Sequence, residues 1–248
     1  MIIKTQGLII KEQTVGESDR LVTVLTADYG IIKAFATKAK TLKSSKNAST
    51  SLLAYSNLSI YKGKDKYIID SAMPIEIFFD LRNNIESLSL AQYFCELAFL
   101  FVPEGKETKE YLRLVLNSMH FLCKNKKNPI MIKFITELRM LTLAGFMPNL
   151  VACQGCHCYE NELWYFLVRE SSVVCAECLE ERNYGAMPLN QSMLNAMRHI
   201  VFSEFNNIYN FNLSVNYAND LAKIIEAYTL NVLGNCPMTL DFYKTLVG

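Results

Sequence analysis

Two short cysteine pairs constrain this chain more than any other feature: Cys153-Gln154-Gly155-Cys156 is answered downstream by Cys175-Ala176-Glu177-Cys178. Each C-x2-C pair bends back on itself and turns two thiolates toward one point, so two pairs at this separation have the spacing of a tetrahedral four-cysteine zinc site. Two disulfides, or four unrelated buried thiols, are the competing readings. The N-terminus, Met1-Ile2-Ile3-Lys4, runs straight into patterned sequence with no signal-like segment, so the chain reads as cytoplasmic, where disulfides are disfavoured. Catalytic zinc keeps three protein ligands and an open position for water, whereas four thiolates close the sphere. The expectation is therefore a structural Zn2+ held by Cys153, Cys156, Cys175 and Cys178. A zinc deaminase needs H-x-E upstream and Pro before the second pair; here His157 is followed at the wrong spacing by Glu160, and Val174 precedes Cys175. His157 and Cys158 sit beside Cys156 and either could replace it, but only Cys156 completes C-x2-C.

The remainder of the chain must build a fold around that staple. At 248 residues, 51% hydrophobic and 11% aromatic, it suffices for one large or two modest domains with real cores. The formal net charge of +1 conceals a segregation, because residues 33–66 carry 8 lysines against the single acid Asp65. A surface for nucleic acid is expected there. The most apolar window, Leu88 to Val102, has the length of a buried helix and carries Glu96, short of the roughly 20 residues a bilayer needs. No membrane partner is expected. Ala39 to Ser51, rich in Lys, Ser and Thr, reads as a mobile loop.

Residues 1 to 73 read as strands: Ile2 to Ile10 interrupted at Gly7, Arg20 to Thr26, Ile31 to Thr37, Ala54 to Tyr61 and Lys66 to Ser71. Five strands without a long helix among them suit a small closed barrel, and the five-stranded member of that class is the OB-fold, an oligonucleotide binder. Lys33, Lys38, Lys40, Lys43 and Lys46 lie on the third strand and the loop after it, and Lys62, Lys64 and Lys66 surround the last turn. They are the candidate phosphate contacts, against the alternative of ordinary solvated lysines. Tyr29, Phe35, Tyr55, Tyr61 and Tyr67 are candidate stacking platforms, or else core and rim.

From Pro74 the period changes to that of helices. Leu88 to Val102, Lys109 to Cys123 and Ile130 to Ala144 are helical, the last opened by Pro129 and stopped by Gly145; they are expected to bury their stripes on one another. Gln191 to Phe202, capped by Asn190, and Tyr217 to Leu233, closed by Gly234, follow the cysteines. The fold class is α+β: an OB-fold-like domain over residues 1–80, then a helical domain over 81–248 with an inserted zinc module near 150–182. Leu163 to Val168 is a strand in that module, with Trp164 packing over the site. Cys95, Cys123 and Cys236 read as small core residues, and His120 and His199 as isolated. No GxSxG, P-loop or paired carboxylates suggest catalysis, so no enzyme activity is expected. The alternatives are a zinc-dependent hydrolase or deaminase acting on nucleic acid, and a zinc-ribbon interaction module that does not bind DNA.

Gly16-Glu17-Ser18-Asp19-Arg20-Leu21-Val22-Thr23, Tyr29 to Ala34, and Phe134 to Arg139 running through Ala144-Gly145-Phe146-Met147-Pro148 to the cysteines resemble the RecO family of bacterial recombination and repair proteins. The second pair and Asn231-Val232-Leu233-Gly234 extend the resemblance over nearly the whole chain. It implies an OB domain, a helical zinc-bearing domain, and binding of single- and double-stranded DNA, with Arg20 joining the lysines as a contact. It also implies strand annealing and, with RecR, loading of RecA onto strands coated by single-strand-binding protein, in the cytoplasm and at the nucleoid. Where the family usually has arginine in the loop after the third strand, Lys43 and Lys46 offer point charge without the bidentate fork. The family's binding of the C-terminal tail of single-strand-binding protein points to a cation beside a groove, for which Lys133 and Arg139 are the candidates, against ordinary exposed helix charges.

Overall fold

Alternation of apolar and polar side chains puts Ile3 inside and Ile2 and Lys4 outside at the start of β1 (Ile2–Val15), and the same logic builds four more strands. These are β2 (Asp19–Thr26), β3 (Ile31–Ala36), β4 (Ala54–Lys62) and β5 (Tyr67–Ile77). The structure, a computed structural model, describes every residue except 42, 43, 45, 65, 181–184 and 248. The five strands close into a barrel in the order β1-β2-β3-β5-β4, with β3 and β5 parallel and the other pairs antiparallel. This is the expected OB-like barrel, and its closure leaves no free sheet edge. Ile9, Val22, Val24, Ile32, Ala34, Leu58, Ile60 and Ile69 fill it.

Gly7 does not break β1. It stands where β1 pairs with both β2 and β4, and a Cβ there would lie 2.5 Å from Val24 Cγ1, so glycine permits the close approach. A register shift between Ile9 and Lys11 then bends the strand from one partner to the other. The expected mobile loop is also partly corrected: α1 (Lys46–Ser49) is a helical turn tied to the barrel. Ser49 donates to the Ala72 carbonyl at 3.2 Å, and Ser56 donates to the Ser49 carbonyl at 2.8 Å.

The chain divides into two units, Met1–Lys124 with Pro237–Gly248, and Asn125–Cys236. The first holds the barrel, α2 (Ile85–Phe101), α3 (Lys109–Lys124) and α7 (Met238–Val247). Asn84 caps α2 by accepting from the Ser87 amide, and the Glu96 carboxylate accepts from the Thr239 amide at the start of α7. The second unit holds α4 (Pro129–Leu143), α5 (Gln191–Phe202) and α6 (Val215–Leu233), with α4 packed on α5 and α6. Pro129 opens α4, Asn190 caps α5, and Gly234 ends α6 at φ +73°, as the caps in the sequence indicate. Between α4 and α5 lies a three-stranded sheet in the order β7-β6-β8, formed by β6 (Leu163–Leu167), β7 (Ser172–Cys175) and β8 (Ala186–Asn190). Trp164 is fully buried in it and stands directly opposite Cys175. Among the described residues, no helix is long and apolar enough to cross a membrane.

Candidate functional site

The first cysteine pair sits on a tight turn before the sheet, and the second begins at the last residue of β7. The turn is closed by the Cys153 amide donating to the Cys158 carbonyl at 2.9 Å and the His157 amide donating to the Cys153 carbonyl at 3.0 Å, with His157 in the left-handed region at φ +62°. Gly155 is required at its centre, because a Cβ would come within 2.8 Å of Cys178 Cβ. The result is that the sulfurs of Cys153, Cys156, Cys175 and Cys178 lie within 4.8 Å of one another. Cys175 Sγ is 3.7 Å from both Cys153 Sγ and Cys156 Sγ. A tetrahedral ion 2.3 Å from each sulfur sets neighbouring sulfurs about 3.8 Å apart, so the cluster has the dimensions of a four-thiolate metal site.

The backbone around the first pair favours a thiolate at Cys153, whereas burial above all pushes the Cys175 thiol up to about 12. The Gly155 and Cys175 amides each donate to Cys153 Sγ at 3.3 Å. Burial raises the Cys153 thiol, but the amides of Cys175, Cys156 and Gly155 more than reverse this and bring it down to about 6. Cys156 is lowered by hydrogen bonds from the backbone and side chain of Cys158. Cys158 itself is pushed up to about 12, first by its hydrogen bond to Cys156 and then by burial. The four residues that converge are thus those of the two C-x2-C pairs. Cys158 lies two residues from Cys156 and is half-buried.

The second candidate surface is on the barrel. Along β3, Ile32, Ala34 and Ala36 point into the core, which turns Lys33 and Phe35 outward. Lys66 Nζ lies 5.8 Å from the centre of the Phe35 ring, and Lys62 Nζ lies 5.8 Å from that of Tyr67. The turn between β4 and β5, drawn tight by the Gly63 amide on the Lys66 carbonyl at 2.9 Å, brings Lys66 against the outer face of β3 and Lys62 against β5. Lys64 is exposed on the same turn. Lys33 Nζ stands 5.7 Å from the Phe99 ring centre. After β3 the chain is pinned to the β1–β2 turn, with the Lys38 amide on Asp19 Oδ1 at 2.8 Å and the Lys40 amide on the Ser18 carbonyl at 2.9 Å. Lys33, Lys38, Lys40, Lys62, Lys64 and Lys66 are all exposed. The sequence gives no sign of these pairings, because Lys66 meets Phe35 on another strand and Lys33 meets Phe99 on a helix.

Two of the expected contacts serve the fold instead. Lys46 Nζ donates to the Ile69 carbonyl at 2.8 Å, fastening α1 to β5. Arg20 donates to the Asn47 carbonyl at 2.7 Å and to Asn47 Oδ1 at 3.1 Å, and faces Glu12 at 3.7 Å. Its side chain is only 13% exposed, so the guanidinium clamps α1 to β2. Lys43 lies outside the described residues. The tail-binding candidates are likewise corrected. Lys133 is 3% exposed and its ammonium meets Glu137 at 2.8 Å and Glu226 at 2.9 Å, so its charge is neutralised within the unit. Arg139 donates to the Ile200 and Val201 carbonyls at 3.1 and 2.8 Å, occupying the end of α5 where helix carbonyls lack partners.

Comparison with known proteins covers both units. The family described as recombination protein O, N terminal, matches residues 1–78, and that described as recombination protein O, C terminal, matches residues 82–240. A DNA repair protein RecO of Acetivibrio thermocellus is 33% identical over 98% of this chain and 97% of its own. One of Caldicellulosiruptor saccharolyticus is 30% identical over 98% of each chain, and one of Dehalococcoides mccartyi is 28% identical over 98% of this chain and 95% of its own. The chain therefore belongs to the RecO family.

Proposed function

We propose that this protein is a recombination mediator in DNA repair, one that binds single- and double-stranded DNA and brings complementary strands together without making or breaking bonds. Family membership supports the repair role. The observation that carries the DNA reading is the outer face of β3 and the β4–β5 turn, where exposed lysines stand against aromatic rings on an OB-like barrel. Lysines attract phosphates regardless of sequence, and Phe35 and Tyr67 offer flat surfaces to unstacked bases. Annealing follows from that chemistry, because cationic side chains screen the repulsion between two strands while the bases stay free to pair.

Its proposed partners beyond DNA are RecR and the C-terminal tail of single-strand-binding protein, and its proposed task with RecR is to load RecA onto coated strands. It would act in the cytoplasm, at the nucleoid. The cysteine cluster is proposed to hold structural Zn2+ through Cys153, Cys156, Cys175 and Cys178. When bound, the ion neutralises the thiolates and locks the turn to β7, and its filled sphere supplies no site for water activation. The reading is tested by RecA filament growth on strands coated with single-strand-binding protein. Growth should be stimulated only when this protein and RecR are both present. Equal growth with RecR alone would reject the mediator role.

A further inference from the structure

Lysines and aromatic rings alternate along the outer face of β3: Lys66 stands by Phe35, and Lys33, two residues away on the same strand, stands by Phe99 of α2. Phe99 comes from a helix, and the way that helix ends puts it there. The Gly105 amide donates to the Tyr29 carbonyl at 3.0 Å, the Thr108 amide to the Ala27 carbonyl at 2.8 Å, and Thr108 Oγ1 to the Thr26 carbonyl at 2.7 Å. Gly30 permits the contact, because a Cβ there would fall 1.9 Å from the Pro103 carbonyl oxygen. The end of α2 is thus tied to the β2–β3 turn and held against the start of β3. A ring serving only as core would be covered, yet Phe99 is 42% exposed and Leu100 beside it 46%. Both line a cavity of about 400 Å³ bounded by α2, β1 and the start of α7, with Ile10, Lys11 and Cys95. The acids of this cavity already accept hydrogen bonds from the protein, Glu12 from the Leu52 amide at 2.9 Å and Glu96 from the Thr239 amide at 3.0 Å. What the surface offers outward is an apolar slot with a flat ring beside an ammonium group.

We infer that Phe99 is a base-stacking platform of the DNA-binding surface, where a single strand running along β3 leaves the barrel and lays one base against α2. The inference rests on the proposed DNA-binding face. A flat ring beside an ammonium matches a ligand in which a flat heterocycle is joined to a phosphate, and that is a nucleotide unit. Lys33, with its Nζ 5.7 Å from the Phe99 ring centre, holds the phosphate adjoining the stacked base. In the interior of a duplex both faces of every base are already stacked, so only an unpaired strand can use Phe99. The lysines attract single and double strands alike. Phe99 therefore sets a preference between the two that the lysines cannot set. During annealing the base must leave the ring as its strand pairs, so the platform holds the unpaired substrate and loosens its grip on the product duplex.

Fluorescence anisotropy with a labelled oligothymidine and with a blunt duplex of the same length tests this at fixed salt. Phe99→Leu, which keeps apolar packing but removes the flat face, should weaken single-strand binding at least about fivefold, the lower end of what stacking one base contributes. Duplex affinity and the salt slope should not move, because no charge is lost. Phe99→Trp should restore the single-strand affinity. On the unaltered protein, a strand carrying 5-iodouracil should crosslink on irradiation to the peptide bearing Phe99. Wild-type single-strand affinity in Phe99→Leu, an equal loss on both substrates, or crosslinks confined to other peptides overturns the platform. If the Lys62, Lys64 and Lys66 alanine variant still loses affinity in that event, the DNA-binding face survives; if that variant also binds as the wild type does, both readings fall.

Discussion

Under the proposed DNA-binding role, the six exposed lysines on the barrel predict a definite salt dependence. If each neutralises one phosphate, the slope of log affinity against log salt on single strands is about −4, and affinity falls about 300-fold between about 50 and 200 mM salt. Replacing Lys62, Lys64 and Lys66 with alanine removes half of these charges, and with them the cations beside Phe35 and Tyr67. The slope should fall to about −2 and the loss over the same range to about 20-fold. Fluorescence anisotropy of a labelled oligonucleotide, titrated at several salt concentrations, reads this directly. Lys46→Ala is the internal control, because its ammonium is held by the Ile69 carbonyl and its loss should leave the slope unchanged. A triple variant with the wild-type slope would refute the assignment of this face. A Lys46→Ala slope lowered by a full contact would refute the division between surface and structural lysines.

On the proposed zinc site, Cys175→Ser removes a buried ligand from a closed sphere. Since zinc binding of this kind contributes on the order of 10 kcal/mol of folding free energy, the variant should lose its zinc and its second unit should unfold or loosen, as seen by circular dichroism and limited proteolysis. Gly155→Ala forces a Cβ within 2.8 Å of Cys178 Cβ and should weaken metal retention in a chelator challenge without changing DNA affinity. Lys133→Ala strands the fully buried Glu137 carboxylate and should cost about 3–5 kcal/mol in urea unfolding, whereas Glu226→Gln, at a 20% exposed carboxylate, should cost less. Burial lowers the Lys133 pKa, but Glu137 and Glu226 more than reverse this, so its folded value lies above the ordinary 10.5. The stability contributed by the raised Lys133 pKa is then complete at neutral pH and is lost as pH rises through that raised value in alkaline titration.

What sequence reveals here follows the range of the interactions. The four-cysteine cluster is legible because C-x2-C geometry is local, and the caps Asn190, Pro129 and Gly234 are legible for the same reason. The barrel strands show through their alternation, although Gly7 imitates a break where the true cause is close packing on Val24. Helix α7 goes unread because it is only ten residues long and follows Pro237, and Glu96, far back in the chain, accepts from its first turn. Charge is the least legible feature. Lys33 and Lys133 look alike as residues, yet one faces solvent and the other meets Glu226, a partner 93 residues away. Arg20 and Lys46 likewise resemble phosphate contacts until α1 is seen folded against the barrel.

Strand annealing by the purified protein bears on the proposed role without intermediaries. Complementary oligonucleotides, bare or coated with single-strand-binding protein, should pair far faster in its presence than spontaneously, and the Lys62, Lys64 and Lys66 alanine variant should lose most of that acceleration. Pairing at the spontaneous rate on both substrates, by protein that is folded and zinc-loaded, would contradict the mediator role.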